Sequence, residues 1–463
     1  MTKGGGQASA PRQAKPPRSA PAEPALPGLP ARQAAARLLA AVVDAKTPLD
    51  GLTDDAHGHP HYLALEPRDR ALCRAILRTA LRFRGTIAHL IDARLERPLP
   101  PNASALHHVL HIGAAQILFL DVPDHAAVSL AVAQAKADPR ARRFSGLVNA
   151  VLRGLSREKD SLLPQALAKR LDAPNWFRER LENAYGADKA GKILDMHRHE
   201  PPLDLTVRSE PEAWAEKLGA HPLPNGSLRL GRQGTAVPDL PGFSEGAWWV
   251  QDAAASFPVR LFGSAAGLRV ADLCAAPGGK TAQLAAAGVY VTAVDASRSR
   301  LKRLAGNLAR LGLSAEIVEA DLLTWEPAEK FDAVLLDAPC SSTGTVRRHP
   351  DVPWTKGPAD VEKLVALQRR LLDWAWRLLK PGGKLVFSNC SLLPEEGEAL
   401  WREFLAQTPE LTPDPIQGDE APGIDGFVSA EGFLRTTPGD WRFESPSLSG
   451  LDGFFAARAV RRP

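Results

Sequence analysis

Two of the four cysteines in this 463-residue chain close apolar runs that read as strands. Cys390 lies in "FSNCSLLPEE" (387–396), followed by acids that read as the tip of a helix. Cys340 lies in "LLDAPCSSTG" (335–344), three residues after Asp337. Such cysteines can pack a core, form a disulfide, bind a metal or catalyse. Wide spacing and the lack of a CxxC pair argue for a reducing compartment and against a structural zinc site. If the two strands are neighbours, roughly 4.8 Å apart, Asp337, Cys340 and Cys390 converge on one crevice. Two thiols at adjacent strand ends point to chemistry more than to inert packing.

A second constellation precedes them. "CAAPGGKT" (274–281) follows an apolar strand and opens a helix. Gly278 and Gly279 let a backbone approach a ligand closely, and a helix N-terminus suits a charged ligand group. A phosphate-binding P-loop requires GxxxxGK[ST]; Gly279-Lys280-Thr281 matches its end, but Cys274 stands where the first glycine belongs. The GxGxxG of hydride-transfer folds is absent. A nucleoside-bearing cofactor such as S-adenosylmethionine is the third reading. Asp295 supports it, because it ends the next strand, 23 residues beyond Asp272, where a carboxylate accepts ribose hydroxyls. Asp321 ends the strand after that and can reach the adenine end. Either Asp alone is often only a helix cap.

A carboxyl and two thiols beside a methyl donor suit one reaction in particular. C5 of cytosine is a poor nucleophile, and thiolate addition at C6 makes it enamine-like. Asp337 is placed for the N3/N4 edge of the base, as an acid at N3 if a dry site keeps it protonated.

The surrounding elements have to position these residues. Composition is globular, with 44% hydrophobic and 24% charged residues, and the length calls for two or three domains. No apolar run is long enough for a membrane span, and the basic N-terminus lacks a secretory h-region, so a cytoplasmic location is expected. Residues 1–30, rich in Pro, Gly and Ala, read as a disordered tail. Residues 31–160 repeat apolar positions at helical spacing, for example in "RDRALCRAILRTALRFRGTIAHLIDARL". Cys73 falls inside that pattern as a core residue. Residues 1–160 hold 22 Lys/Arg against 14 Asp/Glu, while the rest of the chain holds 35 against 39. The basic excess suggests a polyanionic partner such as RNA. Arg68, Arg70, Arg74, Arg78, Arg82 and Arg84, with Arg142, Arg143 and Arg153, line either a phosphate-binding or a solvated face. Residues 161–246 read as a small α+β linker module, dense in Pro and Gly from 222. From 247 onward, strand-helix alternation predicts a doubly wound, mostly parallel, Rossmann-like α/β domain with its ligand at the carboxyl strand ends.

"DLCAAPGGKT", "AVDAS", "LLDAPCSSTG", "RRHPD" and "NCSLLPEE" closely resemble the RNA cytosine-C5 methyltransferases of the NOL1/NOP2/Sun group, and "WVQDAAASFP" resembles the stretch that leads into their fold. The helical front half is similar to the antitermination factor NusB. The fusion, over residues 31–463, resembles the bacterial Fmu/RsmB type that modifies small-subunit ribosomal RNA. The resemblance implies an S-adenosylmethionine site at Cys274, Ala275, Ala276, Pro277, Gly278, Gly279, Lys280, Asp295, Asp321 and Asp337. It implies Cys390 as nucleophile, Cys340 as the group that assists product release, Arg347 and Arg348 as RNA contacts, no metal, and a monomer acting on ribosomal RNA. Spacing alone does not rank the two cysteines. Asn389 departs from the family, which usually has Thr before the nucleophile. Two other readings stand beside this one. A non-catalytic RNA-binding or antitermination protein would need none of Asp337, Cys340 and Cys390. A nucleotide hydrolase would need the missing first glycine.

Overall fold

The computed structural model describes residues 1–2, 26–100, 103–231 and 234–463. Most of the tail expected to be disordered, residues 3–25, lies outside the described residues. The front half is all helical, as its periodicity predicts: its main helices are Leu29–Val43, Pro67–Arg82, Arg84–Asp92, Ser104–Phe119, Asp124–Ala137 and Ser145–Ala168. Ser104–Phe119 is apolar on nearly every side and runs through the core, as expected of a helix without a polar face. Cys73 is fully buried, and burial pushes its thiol up to about 12, so it is inert packing.

The expected boundary at 160 falls inside the helix Ser145–Ala168, which carries the fold to 168. A further helix, Asn175–His197, packs Phe177, Leu181 and Ile193 against Val346, Val352 and Leu392 of the last domain. The small module is a four-stranded antiparallel sheet of β1 (Leu203–Val207), β2 (His221–Pro222), β3 (Leu228–Leu230) and β4 (Trp248–Val250), in the order β2-β3-β1-β4. β4 lies beyond the expected limit of 246, because the first residues of "WVQDAAASFP" pair with β1.

The last domain holds β5 (Arg269–Leu273), β6 (Tyr290–Asp295), β7 (Glu316–Glu319), β8 (Phe331–Asp337), β9 (Leu379–Asn389), β10 (Leu411–Pro413), β11 (Leu434–Thr436) and β12 (Phe454–Arg461). Their order is β10-β12-β9-β8-β5-β6-β7, with β11 on β12. β5 pairs parallel with β6 and β8, so the chain winds away from β5 in both directions. That makes the carboxyl ends of β5 and β8 the switch point where ligands bind. β8 and β9 are parallel neighbours with Asp337 opposite Ser388, the adjacency that two converging cysteines require. The three-residue strands β10 and β11 have no counterpart in the sequence reading; runs that short carry no period.

The helical domain rests directly on the loop that follows Cys340. Trp354 packs against the helical core and donates Nε1–H to Leu81 O at 3.0 Å, with the Arg84 guanidinium 5.6 Å from its ring centroid. Asp351 accepts from Leu49 N at 3.0 Å, and His349 pairs with Asp50 at 3.1 Å. Arg82 donates to the carbonyls of His197, His199 and Arg347. The arginine series of the sequence is therefore only partly a surface. Arg82 and Arg84 sit at this joint, and Arg70 and Arg74 are drawn toward Tyr62 and Asp55. Arg142, Arg143 and Arg153 are exposed. Trp354→Ala should destabilise the protein by about 2–3 kcal/mol, below the roughly 3–5 kcal/mol for a fully buried Trp because part of the ring stays wet. A urea melt checks this; an unchanged midpoint would show that the joint contributes nothing to stability.

Candidate active site

Asp337 ends β8, and Cys390 follows the end of β9, so the register that pairs these strands brings their loops together. The Cys340 and Cys390 sulfurs lie 3.4 Å apart, both half-buried, and both cysteines are free. They share a hydrogen bond and titrate as a pair. Cys390 lies below the ordinary thiol value, first because it accepts from Cys340, with help from the Ser342 hydroxyl and Lys280. Cys340 is pushed well above it, first by donating to Cys390, then by burial and the charges of Cys390 and Glu396. The two shifts run in opposite directions, favouring the thiolate at Cys390 and the thiol at Cys340.

Asp337 has two partners. Its Oδ2 accepts from Lys280 Nζ at 2.7 Å, and its Oδ1 accepts from Ser388 Oγ at 2.9 Å. A carboxylate engaged by an ammonium is an acceptor, so Asp337, expected to act alone, is joined to Lys280 in one pair. Lys280 is almost buried and its Nζ lies 4.8 Å from the Phe454 ring centroid. The sequence reading placed Lys280 only in the cofactor loop.

The loop itself is built as its glycines predict. Gly278 has φ 101°, and a Cβ there would meet Leu304 at 2.8 Å, so the chain itself demands glycine. At Gly279, φ is not in the left-handed region and the nearest atom to an added Cβ is 3.8 Å away. An added Cβ would make ordinary contact with the Gln251 side chain, so nothing in the fold requires glycine there. Beneath the loop, Asp272 is fully buried; its Oδ2 accepts from Thr281 Oγ1 at 2.6 Å and its Oδ1 has no partner. Burial pushes its carboxyl up to about 7. Asp295 ends β6, is buried, and accepts from Ala276 N at 3.2 Å and Ser297 N at 2.9 Å, with Arg300 at 3.2 Å. A carboxylate has about four acceptor sites, so lone-pair capacity remains. Asp321 lies two residues past β7, is exposed, and accepts from Leu323 N at 3.0 Å. Among the described residues no cluster of three His, Cys, Asp or Glu could hold a metal ion, and no helix is long and apolar enough to cross a membrane.

Arg347 and Arg348 correct the sequence reading. Arg347 is fully buried, with Asp452 at 3.2 Å and Asp252 at 3.7 Å. Arg348 pairs with Asp252 at 2.5 Å and Asp452 at 2.9 Å, and donates to Pro202 O. Two arginines neutralised by two buried carboxylates stitch the loop to the domain; they do not present charge to RNA.

Comparison with known proteins gives the family. The model of the family described as 16S rRNA methyltransferase RsmB/F matches residues 264–459, and that of the NusB family matches residues 29–157. The chain is 38% identical over 408 residues to ribosomal RNA small subunit methyltransferase B of Erwinia tasmaniensis, covering 84% of this chain and 89% of that one. It is 36% identical to the protein of that name in Vibrio cholerae, covering 86% and 96%. The chain belongs to the RsmB/F family of rRNA methyltransferases. The crystal structure of PH0851 shares the fold at TM-score 0.70 and 23% identity, covering 94% of this chain and 99% of that one. A methyltransferase homolog from Pyrococcus horikoshii matches at TM-score 0.51 and 26% identity, covering 62% and 94%.

As an RsmB/F member the chain is an rRNA methyltransferase, and S-adenosylmethionine is its cofactor. The residues present fit it: the unpartnered Asp272 oxygen and the remaining capacity of Asp295 lie around one loop, which Asp295 holds through Ala276 N and Asp272 through Thr281. The departure at Asn389 also has a structural reason. Asn389 is buried, accepts from Ser391 N at 3.0 Å and donates to Glu396 O at 2.6 Å, so it bridges the turn after Cys390.

Proposed function

We propose that this RsmB/F-family protein methylates C5 of a cytosine in small-subunit ribosomal RNA through a covalent adduct with Cys390. The observation that carries this is the pair of sulfurs at 3.4 Å beside the Lys280–Asp337 pair. S-adenosylmethionine supplies an electrophilic methyl group; the backbone of Cys274–Gly279 and Asp272 would hold its amino-acid end, Asp295 its ribose, and Asp321 would lie toward its adenine.

Cys390 enters as the thiolate. Its sulfur bonds to C6 of the ring, and the C5=C6 electron pair moves to C5, with the ring stabilised by a proton donated at N3 from the Lys280–Asp337 pair. An Asp337 oxygen accepts from the N4 amino group. After C5 has gained its methyl group, the C5 proton leaves to a base, the C5=C6 double bond re-forms, the C6–S pair returns to Cys390, and the N3 proton returns to the Lys280–Asp337 pair. Cys340 is the neighbour able to serve this release. A binding protein or a nucleotide hydrolase would have no use for two thiols in contact. RNA is held in part by the exposed Arg142, Arg143 and Arg153 of the helical domain, and the protein acts as a monomer.

The deciding experiment incubates the protein with unmodified small-subunit rRNA and radiolabelled S-adenosylmethionine, then separates the digested nucleosides. All label should run as 5-methylcytidine; label in another nucleoside overturns the assignment. The cofactor site has its own check. Asp295→Asn keeps the shape but loses the charge, and should weaken S-adenosylmethionine binding roughly 10- to 100-fold in calorimetry, corresponding to about 1.5–3 kcal/mol for charged hydrogen bonds. Unchanged affinity would remove Asp295 from the site.

A further inference from the structure

Glu396 is fully buried in the short turn Pro394–Glu396 that follows Cys390. Its Oε1 accepts from Ser341 N at 2.8 Å and Gln368 Nε2 at 3.0 Å. Its Oε2 accepts from Ser341 Oγ at 2.5 Å and Ser391 Oγ at 2.6 Å. Ser341 follows Cys340 and Ser391 follows Cys390, so one carboxylate grips the residue next to each sulfur. Gln368 also donates to Pro339 O at 3.0 Å, on the other side of Cys340. Burying a carboxylate costs several kcal/mol unless donors surround it, and joining two loops does not by itself require a charge. The charge therefore points to a task beyond folding.

We propose that Glu396 is a positioning residue that locks the Cys340 loop to the Cys390 loop and holds the two sulfurs face to face. This rests on the covalent mechanism above, in which the sulfurs have different tasks. The charge acts in the same direction as the geometry. Cys340 faces Cys390 and Glu396, both of which disfavour a thiolate there. Cys390 faces Lys280, which favours its thiolate, and Asp337, which opposes it. Arg435, held by Glu398 at 2.7 Å, faces the same turn, donates to Ser391 O and feels the charge of Glu396. The charge of Glu396 thus adds to the hydrogen bond and the burial that hold the proton on Cys340.

The test reads the thiols directly, without RNA. Full-length wild type and Glu396→Gln are treated with iodoacetamide across about pH 6–10, and initial alkylation of each cysteine is followed by peptide mass spectrometry. In wild type Cys390 reacts first. In Glu396→Gln the Cys340 profile should move to lower pH by about one unit, narrowing the selectivity about tenfold. In parallel, kcat should fall roughly 10- to 100-fold while KM for S-adenosylmethionine stays within about twofold. A wild-type Cys340 profile in this variant overturns the proposal, whether or not kcat falls. If Glu396→Gln does not fold, Ser341→Ala decides: it should alter Cys340 reactivity and leave Cys390 near wild type, and no change in Cys340 overturns the proposal. Failure of the covalent reading would show elsewhere, as no 5-methylcytidine from the wild type.

Discussion

Cys340→Ala should accumulate a covalent protein–RNA adduct that Cys390→Ala cannot form. The two residues are equivalent in position, each just past the end of one of two paired strands, and their sulfurs touch. What separates them is the direction in which the shared proton is biased. Cys390 is lowered by accepting from Cys340 and by Lys280; Cys340 is raised by donating and by the charges around it. The thiolate is the nucleophile, so removing Cys390 removes attack, and activity should fall below detection. Removing Cys340 leaves attack and methyl transfer in place but takes away the group beside the adduct that serves its release. The readout is a denaturing gel of each variant with target RNA and S-adenosylmethionine. A slow band from Cys390→Ala and none from Cys340→Ala would reverse the roles. No adduct from either, with methylation intact in both, would end the covalent mechanism.

The same pair shows where sequence reading succeeds and where it stops. Strands β5, β6, β8 and β9 are continuous apolar runs because both faces are buried, and the residues that end them must lie on one edge. Asp295, Asp337, Cys340 and Cys390 were legible for that reason, as was Gly278, whose φ and contact with Leu304 admit no other residue. Side-chain direction and burial were not legible. "RRHPD" reads as a basic surface loop, yet Arg347 is fully buried because Asp252 and Asp452, 95 and 105 residues away in the chain, arrive to neutralise it. "LPEE" reads as the acidic tip of a helix; Glu395 does meet Arg180 at 3.1 Å near the surface, but Glu396 turns inward to bind both cysteine loops. Nothing local distinguishes these two neighbouring acids. The helix across residue 160 was missed because its apolar stripe thins after Leu155 while its backbone bonds continue.

Lys280→Met should lower kcat by roughly 10²- to 10⁴-fold, the scale of a lost proton-transfer group, while leaving the affinity for S-adenosylmethionine within about threefold. Sequence position places Lys280 in the cofactor loop, and a cofactor role makes the opposite forecast: weak binding with kcat largely restored at saturation. The geometry separates the two. Lys280 is the second residue of the helix Gly279–Ala286, but its side chain leaves the loop and ends on Asp337 Oδ2 at 2.7 Å, on the same side as Cys390, which feels its charge. Methionine keeps the aliphatic stem against Phe454 and deletes only the ammonium, so packing is largely preserved. Two losses then combine. Asp337 is left without its cation, and the Cys390 thiolate loses a favourable charge, so the acid limb of the pH–rate profile should move to higher pH. Asp337→Asn should match Lys280→Met in kcat, because each breaks the same pair, and the double variant should be little worse than either single one. Stopped turnover with cofactor affinity intact would place Lys280 on the base side of the crevice. A selective loss of cofactor binding, or additive effects of the two substitutions, would return it to the loop in which its sequence position puts it.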